Sequence, residues 1–328
     1  MCISAHRHPE FQIFIVCTVK PCRTSIKPEG EKMAHAYNAS TEATEIVNHL
    51  AAHIKGKVIL TTGPSPASIG ATFVEMIARA RPALLILAGR STAKIKQTAD
   101  KIVAAFPQVP VRLLQLDLAS LTSVREAAAA VNSWDDVAYI DVLVNNAGIM
   151  ATGFALTQDG YESHSDGHRL SPIRWADYNF QDGEIYNKWV AYGQSKTGNI
   201  LMTVSLAEKL GSKGLLAYSL HPGVIFGTTL ARDVDWTVDL PELKAVDRFL
   251  GNEEAWMDFK RKSPQQGAAT YVYAVFEPSL RDHNGAYLQD CHVADPWTET
   301  VKPWATDEVE AERLWKLSER LVGQEFNY

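Results

Sequence analysis

Cysteine is scarce in this chain: of 328 residues only Cys2, Cys17, Cys22 and Cys291 carry a thiol, and three of these fall in the first 22 positions. The body of the chain therefore holds one thiol. That excludes a scaffold built on disulfides and fits a reducing compartment, taken here as the cytoplasm. Basic residues are not in excess. Lysine and arginine total 32 against 38 aspartates and glutamates, a formal net charge of −6, which offers no basic surface for nucleic acid. No apolar run approaches the roughly 20 residues of a transmembrane helix, so no transmembrane segment is expected. Cys17 and Cys22 have no histidine or cysteine pair at ligand spacing to complete a site, so no metal is expected. What is present, 46% hydrophobic and 21% charged residues, is the composition of a folded soluble protein and argues against wholesale disorder.

The first 32 residues read as an appendage. Phe11 to Val19 (FQIFIVCTV) is short and apolar, and follows Arg7 and His8. It has the look of a weak signal-peptide core, but Lys20, Pro21 and Cys22 follow where small cleavage-site residues belong. Residues 1–32 are therefore expected to be a disordered extension, and 33–328 a single domain. From Met33 the chain reads as a natural start. Thr41, Thr44 and Glu45 open a helix through about His53, with Ile46, Val47, Leu50 and Ile54 inward.

The next signals repeat as strand, turn and helix. Lys57–Thr61 is an apolar run, followed by Thr62-Gly63-Pro64-Ser65-Pro66-Ala67-Ser68-Ile69-Gly70 and a helical pattern from Ala71 to about Ala80. Such a turn lets backbone N–H groups at a helix N-terminus meet a pyrophosphate, with Gly63 turning the chain and Gly70 allowing close helix–sheet approach. A tight turn without a ligand fits the same residues. Ala83–Ala88 is a continuous apolar run of the kind buried on both faces, and it ends at Gly89-Arg90. Arginine at that strand end suits the 2′-phosphate of NADP, where an acidic residue suits NAD; an exposed arginine without a ligand is the bland alternative. A helix over Thr92–Ala105 leads to a strand over Val111–Leu116, and Asp117 is placed to accept a hydrogen bond from an adenine amino group. A helix over Ser120–Val131 leads to a strand over Ile140–Val144, ending at Asn145-Asn146-Ala147-Gly148. This alternation specifies an α/β fold, a doubly wound parallel sheet of the Rossmann type, with ligands at the C-terminal strand ends.

Tyr192 and Lys196 lie four apart in a helical stretch, so they share one helix face. A free phenol is a poor acid–base at neutral pH, and a neighbouring ammonium favours its phenolate. The Thr-Gly turn, Asp117-Leu118, Asn145–Gly148, Tyr192-x-x-x-Lys196 and Pro222-Gly223 come in that order, and together they resemble the short-chain dehydrogenase/reductase family from about Lys57 to the C-terminus. Asp166–Ile173 and Tyr287–Cys291 narrow the resemblance to the retinol-dehydrogenase-like and WW-domain-oxidoreductase-like branch, fungal type. The resemblance implies roles. Tyr192 is the proton donor or acceptor. Lys196 binds the nicotinamide ribose and lowers the phenol pKa. Gly63, Ser68 and Gly70 line the pyrophosphate, Ala67 and Ser68 standing where glycines are usual. Arg90 meets the 2′-phosphate, Asp117 the adenine, and Asn145 and Gly148 the cofactor edge. Pro222, Gly223 and Thr228 sit by the nicotinamide amide. Ser165 matches the serine that holds the substrate oxygen. The cofactor implied is NADP rather than NAD, the substrate a small alcohol or carbonyl compound, and the assembly a homodimer on the tyrosine helix.

One unit of the pattern is missing. Ala151–Lys188 contains no apolar run of four and no helical stripe, although parallel neighbours need a crossover of a dozen residues or more. The resemblance implies that a helix and strand of about 35 residues, the helix bearing an asparagine that completes a proton relay, are absent near Glu162-Ser163. Loss of a central strand leaves its two neighbours with unpaired backbone groups unless they close up or water enters. Further on, Gly214–Leu220 reads as a strand, 229–262 as core or a substrate cover, Gln265–Phe276 as a helix, Ala286–Gln289 as a strand and Asp307–Val322 as an amphipathic helix. Two readings follow: an NADP-dependent oxidoreductase, or an impaired relative or truncated gene product that binds nucleotide without turnover.

Overall fold

Short β-branched and aliphatic runs form the strands, and a serine precedes each of the first three crossover helices. The computed structural model describes residues 36–148, 167–225, 228, 230, 234–258 and 260–328, together with the backbone of 16–19. In chain order the elements are β1 (Val16–Val19), α1 (Ala43–His49), α2 (Ala51–Ile54), β2 (Val58–Thr62), α3 (Ile69–Ile77), β3 (Leu84–Gly89), α4 (Thr92–Ala105), β4 (Val111–Gln115), α5 (Leu121–Asn132) and β5 (Val142–Val144). There follow α6 (Lys188–Leu210), β6 (Leu215–His221), α7 (Trp236–Phe249), α8 (Pro264–Phe276), β7 (Tyr287–Gln289), β8 (His292–Val293), α9 (Pro303–Thr306) and α10 (Glu308–Val322). Ser68, Ser91 and Ser120 cap α3, α4 and α5, each hydroxyl accepting the N–H three residues on. That satisfies donors the first helical turn leaves open.

β4, β3, β2 and β5 pair in parallel in that order. β3 is wholly buried, and its side chains alternate as the pleat requires. Leu85 and Leu87 face a core made with Ile46 of α1, Phe73 and Ile77 of α3, and Tyr271 and Val272 of α8. Leu84, Ile86 and Ala88 face the other layer, with Leu114 and Ala127. Helices thus cover both faces, and the fold is the doubly wound Rossmann-type sheet. On the second face α10 packs over α6, where Leu201 meets Ala311 and Leu314, and Ser205 Oγ donates to Ala311 O at 2.9 Å. α6 is the helix on which the resemblance places a homodimer. Among the described residues no helix is long and apolar enough to cross a membrane.

The sheet continues past β5 in an order that changes the reading of the N-terminal extension: β4-β3-β2-β5-β1-β6-β7-β8. Residues 1–32 are expected to be disordered, yet Val16–Val19 is a strand inside the sheet. It is antiparallel to both neighbours, with Val16 opposite Val144 on one side and Tyr218 on the other. The physical reason is backbone pairing. β5 and β6 carry interior backbone groups that need partners, and the apolar N-terminal run supplies them. Among the described residues no parallel strand stands between β5 and β6.

Candidate functional site

β5 and β6 both run antiparallel to β1, so they run parallel to each other and to β2–β4. The ends of five strands therefore share one edge, and they carry Gly63, Arg90, Asp117, Asn145 and Pro222. At β2 the turn is knotted to the end of β5. Gly63 has φ +66°, and a Cβ there would lie 2.7 Å from Ala147 Cα. A Cβ on Gly70 would overlap the Asn146 carboxamide. Gly63 N donates to Ala88 O at 2.7 Å, which ties the turn to β3 as well. Ala67 takes φ +61°, the left-handed region a glycine would enter without strain. Ser68 caps α3 and also donates to Gly63 O at 3.4 Å. The N–H groups of Ile69 and Gly70 have no acceptor among the described residues. Such N–H groups suit an anion.

Asn146 is the centre of this knot, and the sequence reading named Asn145 and Gly148 instead. Its Nδ2 donates to Thr62 O at 2.8 Å and Gly63 O at 3.2 Å. Its Oδ1 accepts from the Tyr271 hydroxyl at 3.3 Å. Thr62 Oγ1 in turn accepts from the backbone N of Asn146 and of Ala147, both at 3.0 Å. The only signal in the sequence was the doubled asparagine.

Arg90 is exposed at the end of β3, and its carbonyl accepts from Gln115 Nε2 at 2.9 Å. Asp117 accepts from Ala119 N at 3.0 Å, which shapes the turn into α5. Gly148 is half-buried at the end of the described stretch, and Ser165 lies outside the described residues. At the end of β6, Pro222 is buried, and Gly223 has φ +88° with the Lys262 side chain where a Cβ would go. Thr228 is half-buried.

α6 carries the acid–base candidates. It has 23 residues and joins the start of β6 through the short turn Gly211–Lys213. At 1.5 Å per residue, Tyr192 lies about 27 Å back from Leu210 along the helix axis, close to the length of the seven-residue strand beside it. The start of α6 is thereby carried back to the ligand edge. Tyr192 and Lys196 are each only 6% exposed. The Tyr192 ring meets the Trp189 ring edge-on at 5.7 Å and packs with Leu170 and Leu243. A Cβ on Gly167 would lie 3.0 Å from that ring, and Gly193 fits against the backbone of Leu170 and Ser171.

A second constellation went unread in the sequence. Asp247 of α7 is fully buried (0% exposed). Arg169 grips it with Nε at 3.0 Å and a terminal nitrogen at 3.1 Å, and Asn252 Nδ2 adds a bond at 2.9 Å. The same Nδ2 reaches Arg169 O at 3.1 Å. This clamps α7 onto the 3-10 turn His168–Leu170, beside Tyr192. Elsewhere, burial pushes the Cys291 thiol up to about 11 and the Tyr218 phenol up to about 12. The Tyr218 hydroxyl donates to Leu280 O at 2.6 Å. Among the described residues no cluster of histidine, cysteine and carboxylates could hold a metal ion.

The residues at the β2 and β3 ends fit a dinucleotide: helix-start N–H groups without a described acceptor for phosphate, and an exposed arginine at the adjacent strand end. Comparison with known proteins agrees. The family model described as short chain dehydrogenase matches residues 57–164. Oxidoreductase calI of Penicillium decumbens is 32% identical, with 84% of this chain and 90% of that protein covered. Short-chain dehydrogenase/reductase prx1 of Penicillium rubens is 34% identical over 82% and 86%, and human retinol dehydrogenase 11 is 30% identical over 82% and 87%. A short-chain type dehydrogenase/reductase from Mycobacterium ulcerans shares the fold, with TM-score 0.50 at 15% identity over 72% of this chain and 88% of that one. With these relatives spanning most of its length, the chain belongs to the short-chain dehydrogenase family of oxidoreductases, on its retinol-dehydrogenase-like branch.

Proposed function

We propose that the chain interconverts a small alcohol and its carbonyl compound with NADP, using Tyr192 as the acid–base. The observation that carries this reading is the burial of Tyr192 and Lys196 one turn apart at the end of α6 that returns to the ligand edge. When bound, the nicotinamide supplies or takes up the hydride. The Tyr192 hydroxyl gives a proton to the carbonyl oxygen in reduction and takes one from the alcohol in oxidation. Lys196 holds the nicotinamide ribose, and its ammonium favours the phenolate. Gly63, Ser68 and Gly70 line the pyrophosphate, Asp117 holds the adenine, and Asn145 and Gly148 flank the cofactor. Pro222, Gly223 and Thr228 take the amide end. Arg90 selects NADP by pairing with the 2′-phosphate. Ser165 is the proposed holder of the substrate oxygen, and a homodimer the proposed assembly.

A second reading rests on a specific observation. No parallel strand stands between β5 and β6 among the described residues, and the family match ends at residue 164, beside the proposed junction at Glu162-Ser163. Both support the absence of a helix–strand unit, and with it an impaired enzyme that still binds nucleotide. Titration of NADPH fluorescence, followed by turnover on a panel of aldehydes and ketones, separates the two. Tyr192→Phe is expected to abolish turnover and leave NADPH affinity unchanged. Turnover equal to wild type in that variant rejects Tyr192 as the acid–base. Saturable NADPH binding with no turnover in the wild-type chain favours the second reading. Arg90→Ser is expected to weaken NADPH about tenfold or more and NADH little, as loss of a charge-assisted contact predicts.

A further inference from the structure

The slot between β5 and β6 is interior. Val142 and Val144 on one wall, and Ala217 and Tyr218 on the other, are at most 2% exposed. With β1 seated, the backbone groups of both walls are paired; without it they would be stranded, or the walls would have to close up or admit water into the middle of the sheet. The occupant is a strand paired on both sides, three register pairs with β5 and four with β6. It is antiparallel in a region where the remaining neighbours run parallel. A crossover strand, entering from β5 and leaving toward α6, would run the other way. The occupant has therefore come from another part of the chain.

We propose that the β5–β6 slot is a binding site for an extended apolar peptide, and that the chain fills it in cis with its own Val16–Val19. The segment whose pattern imitates a signal-peptide core is then an obligatory strand of the working protein. Reach does not oppose this. The 23 residues Lys20–Glu42 separate β1 from α1. Fully extended they span up to about 75 Å, against a radius of gyration of about 20 Å for a chain of this length. Filling in cis also benefits from the effective concentration that tethering gives. A second copy's strand would bring the same chemistry without that advantage.

The native Cys17 supplies the test. Its register partners are Leu143 and Ala217. Antiparallel partners stand about 4.5–5.5 Å apart at Cα, within disulfide range. In the full chain, with Cys2→Ser and Cys22→Ser, the variants Leu143→Cys and Ala217→Cys are oxidised mildly and run without reductant. The expected result is a disulfide to Cys17 within one chain, migrating as monomer in at least one variant. Leu113→Cys in β4, four strands from β1, should form none. Absence of any Cys17 disulfide from both folded variants overturns the proposal, and a disulfide-linked dimer overturns its cis form.

A second measurement leaves the walls of the slot untouched. A protease site is inserted between Pro28 and Glu29 of the full chain, which is then cut under native conditions. The N-terminal fragment is expected to stay with the body on gel filtration and to leave only in denaturant. Release accompanied by unfolding of the body also supports the proposal. Release with an unchanged melting temperature overturns it.

Discussion

Replacing Asn146 tests the knot between the nucleotide turn and β5. Asn146→Ala removes two donations to carbonyls and one acceptance from a phenol. At about 0.5–1.5 kcal/mol per bond, plus the cost of leaving buried partners unsatisfied, the loss is about 2–4 kcal/mol. Asn146→Asp keeps the volume and the acceptor for Tyr271, yet turns a carboxylate oxygen toward Thr62 O and Gly63 O. A buried carboxylate facing two carbonyls is worse than a small cavity, so the aspartate variant is expected to be the less stable of the two at pH 7.5. Its folded-state pKa is raised above the unfolded value. It therefore regains stability as pH falls toward 5.5, because the protonated form can donate one of the missing bonds. Urea denaturation at both pH values reads this directly. The reasoning is refuted if the aspartate variant matches or exceeds the alanine variant at pH 7.5, or if the two respond alike to acid. NADPH affinity should fall in both, since Gly63 is held in place by the same side chain.

Three further outcomes are expected. Ala67→Gly relieves a left-handed alanine worth about 1–2 kcal/mol, less about 0.4–1 for added freedom in the unfolded chain. The net gain of about 0.5–1 kcal/mol should raise the melting temperature by about 2 °C, and a fall would reject the strain. Arg169→Met leaves Asp247 charged and buried and should cost about 3–5 kcal/mol. Adding Asp247→Asn should recover part of that loss in a double-mutant cycle; additive losses would show that the pair is not coupled. Burial raises the Cys291 thiol from 9.0 to about 11, so the stability it contributes is complete below about pH 9 and is lost as pH rises toward 11. Alkylation followed by peptide mass mapping should find Cys291 inert at pH 8 in the native chain and reactive in urea; equal rates would contradict its burial.

The strand–helix alternation was legible because local chemistry wrote it. β3 is apolar throughout since both its faces are covered, and α3, α4 and α5 each begin after a serine that caps them. Before α6 the sequence shows only a stretch with no periodicity. The strand that stands between β5 and β6 was not legible. Val16–Val19 pairs with residues far along the chain, and an apolar run carries the same local pattern whether it is a leader or a buried strand. Arg169 and Asp247 are 78 positions apart, and neither stands out alone. At Ala67 the sequence showed a departure from glycine. The backbone nonetheless keeps the positive φ that glycine serves, at an energetic cost invisible in composition.

The reversed strand has a consequence for how the polypeptide is made. Val16 leaves the ribosome early, but its partner Tyr218 emerges about 200 residues later. A strand synthesised about 200 residues before its partner is thus among the last that can dock. Until then its apolar segment must be kept from other acceptors, and the closing step of the sheet waits on near-complete translation.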